Sequence, residues 1–179
     1  MWISFIVISI IGTLFHFLYD WSNHNKIVGL FAAVNESTWE HIKIALTPTL
    51  LWGLIDGFLY GANPNYFLAK SMSLLIIIVV IPVLFYLYFA ILKKHVLIID
   101  ILIFYIAIFS GQFLFYFILE GPVIPYIFSY IGAILLFLIF GFYMTATLLP
   151  LKNFLFKDPI TKKYGLKGHK TESKFIGFK

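Results

Sequence analysis

The chain has 179 residues, 61% hydrophobic, 20% aromatic and only 12% charged, with a mean hydropathy of +0.97. A soluble domain carries roughly a quarter of its residues as charges and could not hide this much apolar surface in one core. The composition therefore argues for an all-α polytopic membrane protein with the lipid bilayer as its solvent. The net charge of +5 comes from thirteen lysines and no arginine, and the lack of cysteine removes disulfides, thiolate metal sites and a cysteine nucleophile.

Trp2 to about Tyr19 reads as a first span, long enough as a helix to cross ~30 Å of hydrocarbon. No positive region precedes it, so it is expected to stay in the membrane rather than be cleaved. It turns polar only at its end, where His16 and Asp20, four apart, share a helix face. Tyr19 and Trp21 suit an interface. The loop Ser22 to Asn25 and Lys26 follow. Ile27 to Val34 is apolar but too short to cross, which leaves it open between a re-entrant piece, an interfacial helix and a packed connector.

Asn35-Glu36-Ser37-Thr38-Trp39-Glu40-His41-Ile42-Lys43 then packs five strongly polar or ionisable side chains into nine residues. A bilayer tolerates such a cluster only where it meets water, protein or an ion. Ser37-Thr38-Trp39-Glu40 fits a capping box, which starts a second span at Ser37. That span runs to about Tyr60 and is expected to kink at Pro48. Asp56, near its far end, would stand ~24 Å from Glu40 on a straight helix, too far for one compact site.

Gly61 to Asn65 is a turn. The third span runs from about Tyr66 to Leu92, with Pro82 inside it, and Lys93-Lys94-His95 closes it. The fourth, about Val96 to Leu119, carries Asp100, Ser110 and Gln112. After the turn Glu120-Gly121-Pro122 a fifth span extends from about Val123 to Leu149, and Pro150 ends it. Residues 1–150 thus form a transmembrane helical domain. Residues 151–179 form a basic tail with eight lysines against Asp158 and Glu172. The tail is expected to be cytosolic and partly disordered, with Phe154 and Phe156 near the lipid. Its partner is anionic lipid rather than nucleic acid.

Lysines flank the tail, the Lys93-Lys94 loop and the loop between Lys26 and Lys43, so the positive-inside rule gives one topology: about five spans, N-terminus out, C-terminus in, in the plasma membrane. That topology gathers His16, Asp20, Asn35, Glu36, Glu40, His41, Lys43 and Asp100 at the inner leaflet as candidate ligand- or ion-binding residues. His16, Asp20 and Glu40 are the candidate ligands for a divalent metal, which could activate a water for hydrolysis. Glu40 and His41 are adjacent, so on a regular helix they point about 100° apart and would not both reach one ion. A transport path would instead continue through Asp56, Ser110 and Gln112, and a homo-oligomer would enlarge it. In the architectural reading Glu40 caps its helix or pairs with Lys43, and His16 pairs with Asp20. His24, His95 and His169 read as loop or tail residues.

These residues predict an integral membrane protein binding a small ligand or ion at an inner-leaflet site, possible transport included. A metal-dependent membrane-embedded hydrolase is the alternative, and a structural subunit of a membrane complex the third reading. Enzyme and non-enzyme readings both stay open.

The run His16-Phe17-x-x-Asp20-Trp21-Ser22, then Asn35-Glu36-Ser37-x-Trp39-Glu40-His41-x-Lys43, resembles an uncharacterised family of small polytopic bacterial membrane proteins. Phe156-x-Asp158-Pro159-Ile160-Thr161-x-x-Tyr164-Gly165 resembles that family's C-terminal end. The resemblance implies a bacterial membrane protein and supplies no activity. A looser similarity, to membrane hydrolases related to alkaline ceramidases and adiponectin receptors, stops at His16 and Asp20. The chain has fewer spans and no late His-x-x-x-His pair, so no zinc ligands are carried over from it.

Overall fold

The computed structural model describes residues 1–169. Among them the chain forms five long α-helices: α1 (Trp2–Trp21), α2 (Thr38–Tyr60), α3 (Tyr66–Leu92), α4 (Leu97–Leu119) and α5 (Tyr126–Leu148). All five are long and apolar enough to cross a membrane. Large side chains on their outer faces stand open, with Phe58 91% and Phe137 75% exposed. Such a surface fits lipid contact, where apolar exposure costs nothing.

Successive helices run antiparallel. The C-terminal ends of α1, α3 and α5 and the N-terminal ends of α2 and α4 therefore share one end with the tail. That end is the tail end, and its opposite is the far end.

Helix α3 is the hub, packed against α4, α5 and α2, while α1 closes the bundle against α2 and α4. Lipid gives helices no hydrophobic reason to associate, so small residues that let backbones touch matter most. A Cβ on Gly132 of α5 would lie 2.4 Å from the backbone nitrogen of Leu68 in α3. Pro48 removes the N–H that would bond Ile44 O, and the helix continues through it. Gly12 of α1 packs on that same carbonyl, since a Cβ there would come within 2.7 Å of it. Thr47 and Thr49 flank the proline and donate to Lys43 O (2.9 Å) and Ala45 O (2.7 Å), keeping the neighbouring carbonyls occupied.

At the far end, buried Asn65 ties the turns together. Its Nδ2 donates to Ile118 O and Pro122 O, and its Oδ1 accepts the Ile124 N–H. With Pro122 and Pro125 bracketing this segment, α5 starts at Tyr126 rather than at the expected Val123. Also at this end, Asp56 and Lys70 form a buried ion pair at 2.5 Å, with the lysine 4.4 Å above the Phe115 ring.

Two stretches outside the five helices take definite form. Ile27 to Val34 is a packed connector: a 3₁₀ turn at Val28–Leu30, then buried Ala32, Ala33 and Val34. Its carbonyls point into the bundle, where Lys43 Nζ donates to Gly29 O, Tyr143 Oη donates to Leu30 O, and Thr47 Oγ1 lies 2.9 Å from Phe31 O.

The described part of the tail, residues 151–169, is ordered, while residues 170–179, on which the expectation of partial disorder also falls, lie outside the described residues. The described part folds across the tail end, with an isolated bridge between Lys157 and Tyr164 and a 3₁₀ turn at Gly165–Gly168. Leu155 O accepts the Trp39 N–H, and Asp158 Oδ1 accepts the Glu36 N–H. Phe156 stacks on Trp39 at 5.0 Å and is 2% exposed, so it is core rather than lipid-facing. Phe154 does stay exposed.

Candidate functional site

The polar segment before α2 divides into side chains that build the fold and side chains that face a cleft. Asn35 belongs to the first group. Its Oδ1 accepts the Ser37 N–H at 2.8 Å and its Nδ2 donates to Gly165 O at 2.9 Å, joining α2 to the tail. The expected capping box does not form. Ser37 sits at the N-cap position without a side-chain cap bond. Glu40 reaches past it to accept the Val34 N–H at 3.0 Å and the Lys43 ammonium at 2.6 Å. Asn35 has already taken the N–H of Ser37, which a capping-box glutamate would use. Lys43 is fully buried and spends a further bond on Gly29 O. Asn35, Glu40 and Lys43 therefore clasp the connector and tail to α2.

The second group faces a cleft of about 800 Å³ at the tail end. Ile81, Phe85, Phe89, Ile103 and Phe104 supply its apolar walls. His16, Glu36, His41, Asp100, His95 and Lys162 supply ionisable groups. Four of the eight candidate residues thus meet here, brought from α1, the α2 entry and α4. The tail contributes Pro159, Ile160 and Lys162 as one wall.

His41 is oriented from below. Its Nδ1 lies 3.0 Å from Ser37 O, so that nitrogen carries the proton and donates. In the neutral ring Nε2 then keeps its lone pair, 3.9 Å from Glu36 Oε2. The His16 ring centres 5.9 Å from that of His41. Asp100 accepts a hydrogen bond from the Tyr88 hydroxyl, and the Thr38 and Tyr86 hydroxyls stand 3.0 Å apart. The arrangement offers proton-exchanging imidazoles and two carboxylates beside an apolar cavity, which suits a ligand with a polar head and an apolar body.

The proposed metal trio does not assemble. Glu40 is committed to Lys43 and Val34, and His16 turns to the cleft. Among the described residues, the one group of three or more possible ligands within 4.8 Å of one another is Asp20, His24 and His169. Only Asp20 carries over from the expected set. His24 and His169 are 145 positions apart, and nothing local in the sequence joins them. Sequence reasoning also misses His95 and Lys162 at the cleft, and Lys70 as the partner of Asp56. The last had a signal: Asp56 and Lys70 each lie seven residues from Asn63, so a helical hairpin turning there sets them at equal depth. Gln112, a candidate for a path across the bundle, is fully buried with neither amide atom hydrogen-bonded.

No curated protein and no solved structure matches the chain. A family model matches residues 1–166, and the chain belongs to that family, a family of unknown function designated DUF6512.

Proposed function

We propose that this member of the family is a five-span protein of the plasma membrane, N-terminus out and C-terminus in, whose tail-end cleft binds a small amphipathic ligand from the cytosolic leaflet. The orientation rests on charge. Lys26, Lys93, Lys94 and, among the described tail residues, Lys152, Lys157, Lys162, Lys163 and Lys167 lie at the tail end, and lysine-rich loops stay in the cytosol. The tail lysines then face anionic lipid headgroups.

The ligand reading rests on one observation: a cleft of about 800 Å³ with apolar side chains on its walls and His16, Glu36, His41, His95, Asp100 and Lys162 around them. Ligand sites of this size combine apolar walls with a few placed polar groups. At a membrane surface that combination fits an acyl or prenyl-like body with a polar head. Binding is favoured over passage across the bilayer because the ionisable groups gather at one end, whereas Asp56 at the other is neutralised by Lys70.

The test is thermal stabilisation in detergent by a panel of single-chain amphiphiles with anionic, cationic and zwitterionic heads. His41→Asn keeps a donor for Ser37 O and removes Nε2. Leu97→Trp fills the cleft from an exposed wall position. A head-specific shift in the wild type that both variants lose is expected. Equal shifts in all three proteins would sink the proposal.

A further inference from the structure

At the water-facing edge of the tail end, Asp20, His24 and His169 stand apart from the cleft and share no residue with it. Asp20 Oδ1 is 3.3 Å from His24 Nε2 and 3.3 Å from His169 Nε2, and the two nitrogens are 2.8 Å apart. His169 Nδ1 lies 3.0 Å from Val34 O, so it carries the proton and donates. Nε2 of the neutral ring is then a bare lone pair aimed at the other two atoms. That is the outer-shell arrangement that fixes the tautomer of metal-binding histidines.

His24 is placed with equal care. Asn23 and His24 take successive left-handed conformations, φ 53° and 60°, after the end of α1. Side chains other than glycine adopt that region at a cost, and such strain gathers where a side chain must be aimed. The Tyr19 ring packs behind both imidazoles, 5.3 Å from His24 and 5.1 Å from His169.

Three acceptor atoms therefore converge on one point. A proton on His24 Nε2 can be shared toward one or two of them, whereas a dication would satisfy all three. In a tetrahedral site with metal–nitrogen bonds of about 2.0–2.1 Å, ligand atoms sit about 3.3 Å apart. Two of the three spacings already have that value, and the third would open by about half an ångström. Two imidazoles and a carboxylate suit a borderline ion rather than calcium or magnesium. Asp20 and His24 are about half exposed, which leaves a fourth position facing water.

We propose that Asp20, His24 and His169 bind a zinc-class divalent ion that fastens the tail to the end of α1. His169 lies beyond the residues matched by the family, so the inference concerns this chain. Because Pro159, Ile160 and Lys162 form one wall of the cleft, the fastening would also hold that wall in place. The inference stands or falls independently of what the cleft binds.

The experiment uses the full chain in detergent, purified without a histidine tag, stripped with chelator and titrated with Zn²⁺ against a chromophoric competitor. The wild type should take up one zinc per chain. His24→Asn tolerates the left-handed backbone but loses the imidazole, and Asp20→Asn loses the charge. Each should weaken binding by at least the ~10–100-fold that loss of an outer-shell partner alone costs. His24→Asn with His169→Gln should abolish it, while His16→Ala with His41→Ala should leave it intact. Cobalt in the wild type should give the visible bands of a four-coordinate ion, and zinc should slow tryptic cleavage at the tail lysines. These two readouts need no variant. Absence of zinc uptake and cobalt bands in the wild type would overturn the proposal, as would full uptake by the double histidine variant.

Discussion

Glu40 and Lys43 show how a charged residue in an apolar chain can serve architecture. The pair is buried at 2.6 Å, and Glu40 further accepts from Val34 N–H while Lys43 donates to Gly29 O. Breaking one side of such a pair leaves an uncompensated charge, which costs about 3–5 kcal/mol, whereas replacing both sides can be neutral. Lys43→Met is therefore predicted to collapse detergent stability, and Glu40→Gln with Lys43→Met to recover most of it. Melting of the three proteins side by side checks this, and a double variant no better than the single would refute it. The local Glu40–Lys43 pair was legible in the sequence, because three positions on a helix bring two side chains together. The convergence of His24 and His169 was not, because it depends on how the tail folds over α1. Nor could spacing tell that Asn35 would satisfy Ser37 and so displace the capping box.

At the scale of elements, the helices were readable because each is long and apolar enough to cross a membrane, and such runs stand out in the sequence. Their packing was not, because close approach depends on single small residues. Gly132 touches the backbone of Leu68, whereas a Cβ on Gly141 would meet nothing within 4 Å. Gly132→Val should therefore push α5 from α3 and abolish a monodisperse elution profile, while Gly141→Ala leaves it unchanged. Comparable profiles for both would show that the α3–α5 contact is not tight.

The packing of residues 151–169 was not legible in the tail's lysines, since charge says little where backbone groups and one aromatic ring do the anchoring. Phe156→Ala removes the ring stacked on Trp39. It should cost about 3–5 kcal/mol, as for a buried core phenylalanine. It should also expose Trp39 to aqueous quenchers of its fluorescence. Unchanged stability and quenching would mean that the tail does not hold the end of α2.

For the whole molecule, the topology and the cleft are one claim, because the cleft's polar side has meaning only if it opens to the cytosol. The chain has no cysteine, so introduced ones report without background. Ala62→Cys at the exposed far-end turn should react with a membrane-impermeant maleimide on intact cells. Lys167→Cys in the tail should react only after permeabilisation. The reverse pattern would invert the orientation.

The central claim is that the tail-end cleft holds an amphipathic molecule. Native mass spectrometry of the protein released from lipid nanodiscs tests it most directly, with wild type beside Leu97→Trp. A discrete adduct of one mass is expected on the wild type and none on the protein with the filled cleft. A wild type without an adduct, or the same adduct on both proteins, would contradict it.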